Sequence, residues 1–136
     1  ICVPSNNILL PHQVHGVTVA NLDNGDTTES ADALMTTRSR LCIGVSTADC
    51  IPVLMHDVRH NAVCAVHSGW RGTVAHVTAA AIEAMHKAYG TERSDLVAVI
   101  GPGIRMEAFE VGDEVYEAFA QAAFDISRIA RNGTST

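Results

Sequence analysis

Apolar positions come in short blocks along the chain, and the spacing inside each block predicts the elements. Ile8-Leu9-Leu10 and Val17-Thr18-Val19 read as short strands on either side of Pro11-His12-Gln13-Val14-His15-Gly16. Residues 21–30 are polar and carry Asn24-Gly25, the sharpest turn signal in the chain. Residues 33–36, 41–46 and 51–56 follow as strands. Ala62-Val63-Cys64-Ala65-Val66-His67 is apolar on successive rather than alternate positions, the pattern of a strand covered on both faces. Residues 57–61 are short enough to join the last two strands as a hairpin. Ser68-Gly69-Trp70-Arg71-Gly72 then reads as a loop. Residues 73–89 read as one helix, with Val74, Val77, Ala81, Met85 and Ala88 on a single stripe, Lys87 suiting its C-terminal dipole and Gly90 ending it. Residues 96–100 read as another buried strand, closed by Gly101-Pro102-Gly103. Asp113 is placed to cap a second helix whose apolar side holds Val115, Phe119 and Ala122. No repeat or linker interrupts this order. Strands interleaved with two helices predict an α/β (α+β) fold, a single domain over residues 1–136 with a mixed β-sheet core flanked by helices.

Composition narrows the class. The chain has 136 residues, of which 47% are apolar, enough to build a core, so disorder is excluded. No apolar stretch approaches the ~20 residues of a membrane span, and no N-terminal segment resembles a signal peptide. A soluble, cytoplasmic protein without a membrane partner is expected. The net charge of −6, with no basic run against it, argues against nucleic acid as the main partner. Cys2, Cys42, Cys50 and Cys64 could form two disulfides in a secreted protein. With no sign of secretion they read as free thiols, and Cys42 and Cys64, inside apolar runs, as small buried hydrophobes. The chain opens on Ile1 and closes on the polar run Arg131-Asn132-Gly133-Thr134-Ser135-Thr136, so a piece of a longer protein is expected.

Three segments carry chemistry: Gln13-Val14-His15-Gly16, Thr47-Ala48-Asp49-Cys50 and Val66-His67-Ser68-Gly69-Trp70-Arg71-Gly72. Each sets a metal-competent side chain where a strand gives way to a loop, which fixes the side chain and leaves it reachable. Two imidazoles and a thiolate suit zinc, and three protein ligands leave a fourth position open, as catalytic zinc sites do. His15 and Cys50 are 35 residues apart and Cys50 and His67 are 17 apart, neither being a local motif. Taken singly, a histidine at a strand end is more often a satisfied polar group, and a cysteine there more often core. Trp70 between Gly69 and Gly72 allows a close backbone approach, and the following helix start with Arg71 could hold an anion. The plainer reading is a tight turn with Trp70 in the core and Arg71 in water. Gly101-Pro102-Gly103-Ile104 before Phe109-Glu110-Val111-Gly112 reads as a loop around a pocket, and is neither a Walker loop nor a dinucleotide fingerprint. Glu110 is an acid–base candidate or a surface charge. His56, His60, His76 and His86 are expected on the surface, and His12 stays open.

In order along the chain, the first segment, Ala31-Asp32-Ala33-Leu34-Met35-Thr36, Thr47-Ala48-Asp49-Cys50-Ile51-Pro52-Val53, the Trp70 segment, and Ile100-Gly101-Pro102 with Phe109-Glu110-Val111-Gly112 resemble the YfiH/YlmD family. It is also called the laccase-domain or multicopper polyphenol oxidase family and is described largely as purine nucleoside phosphorylases. The resemblance implies that His15, Cys50 and His67 ligate zinc, in a single-domain α/β fold with the site at a cleft. Cys50, His67 and Arg71 are the candidates for catalysis, and Gln13, Asp49 and Arg71 those for substrate binding. The resemblance also implies phosphorolysis of adenosine, inosine, guanosine and methylthioadenosine, with adenosine deamination as a second activity. Members run well past this length at both ends.

The alternatives differ in chemistry. A copper-dependent polyphenol oxidase needs a multicopper histidine array that His15, His67 and His12 do not obviously make, although copper binds N/S sites more tightly than zinc. Deamination needs a carboxylate beside the metal, and Asp49 is the nearest in sequence. A Cys50–His67 hydrolase and a non-enzymatic zinc module complete the set.

Overall fold

The computed structural model describes residues 4–131. Cys2 and the end of the polar closing run, residues 132–136, lie outside the described residues. Two compact units divide the chain, Ile1–Gly103 and Ile104–Thr136.

The first unit is built on a five-stranded mixed sheet. Strands β2 (Val19–Asn21) and β3 (Ala33–Thr36) pair in parallel, and β3 is followed across the sheet by β6 (Ala62–Ser68), β5 (Ile51–Asp57) and β7 (Leu96–Ile100), all antiparallel to their neighbours. A separate two-stranded parallel pair joins β1 (Ile8–Leu9) to β4 (Cys42–Ile43). The mixed α/β class matches the expectation. The predicted strand at 17–19 lies two residues later, and that at 41–46 shrinks to two residues.

Alternation along the strands sorts their side chains into two clusters. Ala33, Met35, Val53, Met55, Cys64 and Val66 share one face and pack against helix α2 (Val77–Tyr89) through Val77, Ala81 and Met85. On the opposite face Leu34 packs with Ala20, Leu22 and Ala31, and Leu9 and Ile43 of the small sheet lie against them with Leu41, which precedes β4. The central strand β6 is therefore covered on both sides, as its unbroken apolar run predicts, and the β5–β6 hairpin forms at 57–61.

Three expectations are corrected. The single helix over 73–89 is two: α1 (Trp70–Val74) starts inside the expected loop, and His76, at φ 60° and ψ 43°, breaks the chain before α2. A left-handed residue cannot continue a right-handed helix, and apolar spacing carries no sign of that turn. Gly90, at φ 74°, ends α2 as expected. Strand β7 is not buried: it lies at the sheet edge, with Val97 56%, Val99 59% and Ile100 73% exposed. An unbroken apolar run records what a strand can bury, and its neighbours decide what it does bury. Cys42 is exposed, whereas Cys64 is buried, which pushes its thiol up to about 12, and Cys42, Cys50 and Cys64 are all free.

In the second unit, α3 (Asp113–Gln121) buries Val115, and Phe119 meets Phe124 edge to face at 5.1 Å before α4 (Ile126–Ile129). Gly112, not Asp113, is the N-cap of α3, and no side chain caps it. Asp113 instead lies in the first turn, where a negative charge suits the dipole.

Candidate metal centre

Three separate stretches of the first unit deliver the donors. His15 sits in the loop between β1 and β2 at φ 60°, a left-handed conformation uncommon outside glycine. Cys50 immediately precedes β5, and His67 is the penultimate residue of β6. Their ligand atoms all lie within 4.8 Å of one another. The two imidazole rings meet edge to face, with centroids 4.8 Å apart and planes at 79°. His67 is buried, Cys50 half-buried and His15 exposed, so the group opens to solvent on the His15 side.

Asp32, just before β3, is the residue that the candidate set omits. It is fully buried, and its Oδ1 accepts hydrogen bonds from His67 Nδ1 at 2.8 Å and from the His15 N–H at 2.9 Å. Its Oδ2 accepts from the N–H groups of Gly16 at 2.7 Å and Val14 at 3.4 Å. Its backbone carbonyl takes the His67 N–H at 2.7 Å. Burial by itself raises the Asp32 carboxyl, but the bonds from His67 and the three N–H groups outweigh it and hold the group below its ordinary value. The available sequence signal is an acid flanked by alanines at the head of an apolar strand, since a buried carboxylate needs partners.

The loops around the donors are braced. The Gln13 amide pairs with the Ser46 backbone both ways, Nε2 donating to the carbonyl at 2.8 Å and Oε1 accepting from the N–H at 2.7 Å. That couples the His15 loop to the segment leading to Cys50. On the other side of Cys50, a Cβ on Gly103 would stand 3.0 Å from the Asp49 carbonyl and 2.8 Å from Ile51 Cγ1, and the Gly101 N–H donates to the Pro52 carbonyl at 2.9 Å. This close approach accounts for the Gly-Pro-Gly run. Gly69 is needed for space: its Cβ would lie 2.8 Å from His15 Cδ2 and 3.2 Å from Cys50 Sγ. Burial, then the negative charges of Asp49 and Asp32, raise the Cys50 thiol above its ordinary value.

Arg71 is exposed, its guanidinium stacked over the half-buried Trp70 ring at 4.2 Å, with no carboxylate partner among the described residues. The helix start expected after the Trp70 segment is that of α1, a helix of five residues beginning at Trp70 itself, and the long helix begins only at Val77. Asp49 is exposed beside Cys50. His12 is exposed and faces Glu29 at 3.6 Å. His56, His76 and His86 are exposed as expected, whereas His60 is partly buried against Asp57. Glu110 is exposed in the second unit.

Two nitrogens and one sulfur with one open side fit a zinc ion with a remaining coordination position. The fold and this donor set define a mixed α/β protein with a candidate three-ligand metal centre. The chain belongs to the family described as multi-copper polyphenol oxidoreductase laccase, whose match runs over residues 1–136. It is similar to a purine nucleoside phosphorylase of Bacteroides thetaiotaomicron, 50% identical over 99 residues covering 73% of this chain and 37% of that protein. It is also similar to adenosine deaminase RL5 of an unknown prokaryotic organism, 37% identical over 98% of this chain and 55% of that protein. Among solved structures, Neisseria meningitidis protein NMB0706 matches with a TM-score of 0.78 and 32% identity, covering 94% of this chain and 52% of that one. Bacillus licheniformis protein YfiH matches with a TM-score of 0.80 and 26% identity, covering 88% and 48%. The chain thus spans about half the length of the relatives it matches. No helix among the described residues is long and apolar enough to cross a membrane.

Proposed function

We propose that the protein is a zinc-dependent purine nucleoside phosphorylase, with His15, Cys50 and His67 as the metal ligands. The observation that carries this reading is the convergence of those three donors, from three separate segments, around a point open on one side. The names of the relatives supply the substrate class.

In phosphorolysis the bond between C1′ of the sugar and the purine nitrogen breaks, a phosphate oxygen bonds to C1′, and the departing base takes up a proton. Bound zinc would supply Lewis acidity toward the substrate at the open side. Arg71 offers the phosphate a planar donor fork, and its stacking on Trp70 limits the orientations of that fork. Asp49, exposed beside Cys50, offers an acceptor for sugar hydroxyls. Gln13 acts by bracing the two loops that carry His15 and Cys50.

The test is chromatography of inosine or adenosine incubated with the zinc-loaded protein, with and without phosphate. Base and ribose 1-phosphate should accumulate only with phosphate, and Cys50→Ala should abolish both. No phosphate-dependent release of base from zinc-loaded protein overturns the proposal. The similarity to adenosine deaminase RL5 favours a second reaction, seen in the same traces as phosphate-independent conversion of adenosine to inosine. The family description points instead to copper, but the described residues gather only one imidazole–thiol group. Elemental analysis of protein purified without added metal separates these readings, zinc near one per chain supporting the first.

A further inference from the structure

We infer that Asp32 is the positioning residue of this centre, one carboxylate that sets the tautomer of His67 and the turn conformation of His15 together. The inference rests on the metal-site reading above and deepens it.

His67 Nδ1 lies 2.8 Å from Asp32 Oδ1. An ionised carboxylate only accepts, so Nδ1 carries a proton, and in the neutral ring it is then Nε2 that keeps the lone pair a metal needs. The same Oδ1 takes the His15 N–H, and Oδ2 takes those of Val14 and Gly16. Successive backbone N–H groups directed at one anion form a nest, which a left-handed residue closes. His15, at φ 60°, is that residue, and the carboxylate offsets the strain of the conformation. Asp32 is itself fully buried at the head of β3, so it cannot relax toward solvent. The outcome is an exposed ligand and a buried ligand registered against one rigid group before any ion arrives.

Asparagine at this position keeps the shape and fails the chemistry. It has one oxygen and one NH2, and the NH2 must face either the N–H pair on Oδ2 or the His67 and His15 donors on Oδ1. One of the two ligating imidazoles then loses its alignment. Cobalt(II) and zinc affinity of the protein is read by chelator competition, with the cobalt–thiolate absorption as the spectroscopic signature of the site. Asp32→Asn should bind 10–100-fold more weakly, the range that such outer partners contribute, while the circular dichroism stays that of the parent. Unchanged affinity in the folded variant overturns the assignment. A second measurement needs no variant: long-range 1H–15N correlation on the metal-free parent at neutral pH should show His67 as the Nδ1–H tautomer. The Nε2–H tautomer overturns the assignment too, and it decides the matter where Asp32→Asn fails to fold. Parent protein that binds cobalt but releases no base overturns the phosphorolysis reading and leaves this assignment standing.

Discussion

Two buried aspartates in the first unit hold histidines in nearly the same way. Asp32 accepts from His67 Nδ1 and Asp57 from His60 Nδ1, each at 2.8 Å, and each also accepts backbone N–H groups. His67 belongs to a group of three potential donors with His15 and Cys50, whereas Asp57 and His60 both belong to a second group with Asp95. The difference is in what each pair connects. Asp57, Arg59 and His60 lie within one hairpin turn, and the bonds that the carboxylate accepts from Arg59 and His60 fasten that turn, with the Thr91 side chain also beside the carboxylate. Asp32 and His67 are 35 residues apart, and the carboxylate bonds join the His15 loop, the head of β3 and the end of β6. A carboxylate–imidazole pair is thus a structural part that serves either use. What makes one of them a candidate centre is a thiol and a second imidazole beside it, with an opening to solvent.

The comparison is broken most forcefully at Gly69. Its added Cβ would push directly against His15 and Cys50, so Gly69→Ala should lower zinc or cobalt affinity by roughly 100-fold or more, beyond the effect of an outer partner. Chelator competition measures this, and an alanine variant with parental affinity would mean that the donors do not gather at that point. No substitution in the hairpin turn should change metal content.

Asp57→Asn sharpens the contrast through stability. Burial pushes the Asp57 carboxyl up, but the hydrogen bonds it accepts outweigh burial and leave it well below the ordinary carboxylate range. Its ionised form therefore stabilises the fold above the unfolded value of about 3.9, and the contribution is lost as pH falls through the lower folded value. Thermal melting should show Asp57→Asn below the parent at pH 7, with the gap closing under about pH 4. A gap that widens toward acid would contradict the assigned hydrogen bonds.

Much of this was legible in the residues. The strands at 33–36, 51–57 and 62–68 follow from their apolar runs, and the stripe of Val77, Ala81 and Met85 from helical spacing. Cys50 and His67 stand out because metal-competent side chains occur at strand ends, whereas His15 lies in mid-loop between β1 and β2, and the meeting of all three depends on pairing between distant segments. Asp32 is hard to read in this way because, besides His67, its side-chain partners are backbone N–H groups of residues 14–16, which any sequence supplies. The exposure of β7 escapes it because Leu96 to Ile100 are as apolar as the buried β6. The break at His76 is a backbone choice that no polar or apolar pattern encodes.

The smallest effect is expected at His60. Its ring bonds Asp57 Oδ2 at 2.8 Å, but a third of the side chain is exposed and Oδ1 keeps two backbone partners without it. Removing the ring costs one hydrogen bond to a charged group in a partly hydrated turn, so His60→Ala should lose about 1–2 kcal/mol in chemical denaturation. The denaturant slope should not change, because the same surface is exposed on unfolding. Cobalt absorption of His60→Ala should overlay that of the parent, whereas His67→Ala should lose the thiolate band's intensity along with a ligand. If His60→Ala disturbed the cobalt spectrum, the two aspartate–histidine pairs would be alike in use as well as in geometry, and the hairpin group would have to be counted as a second metal centre.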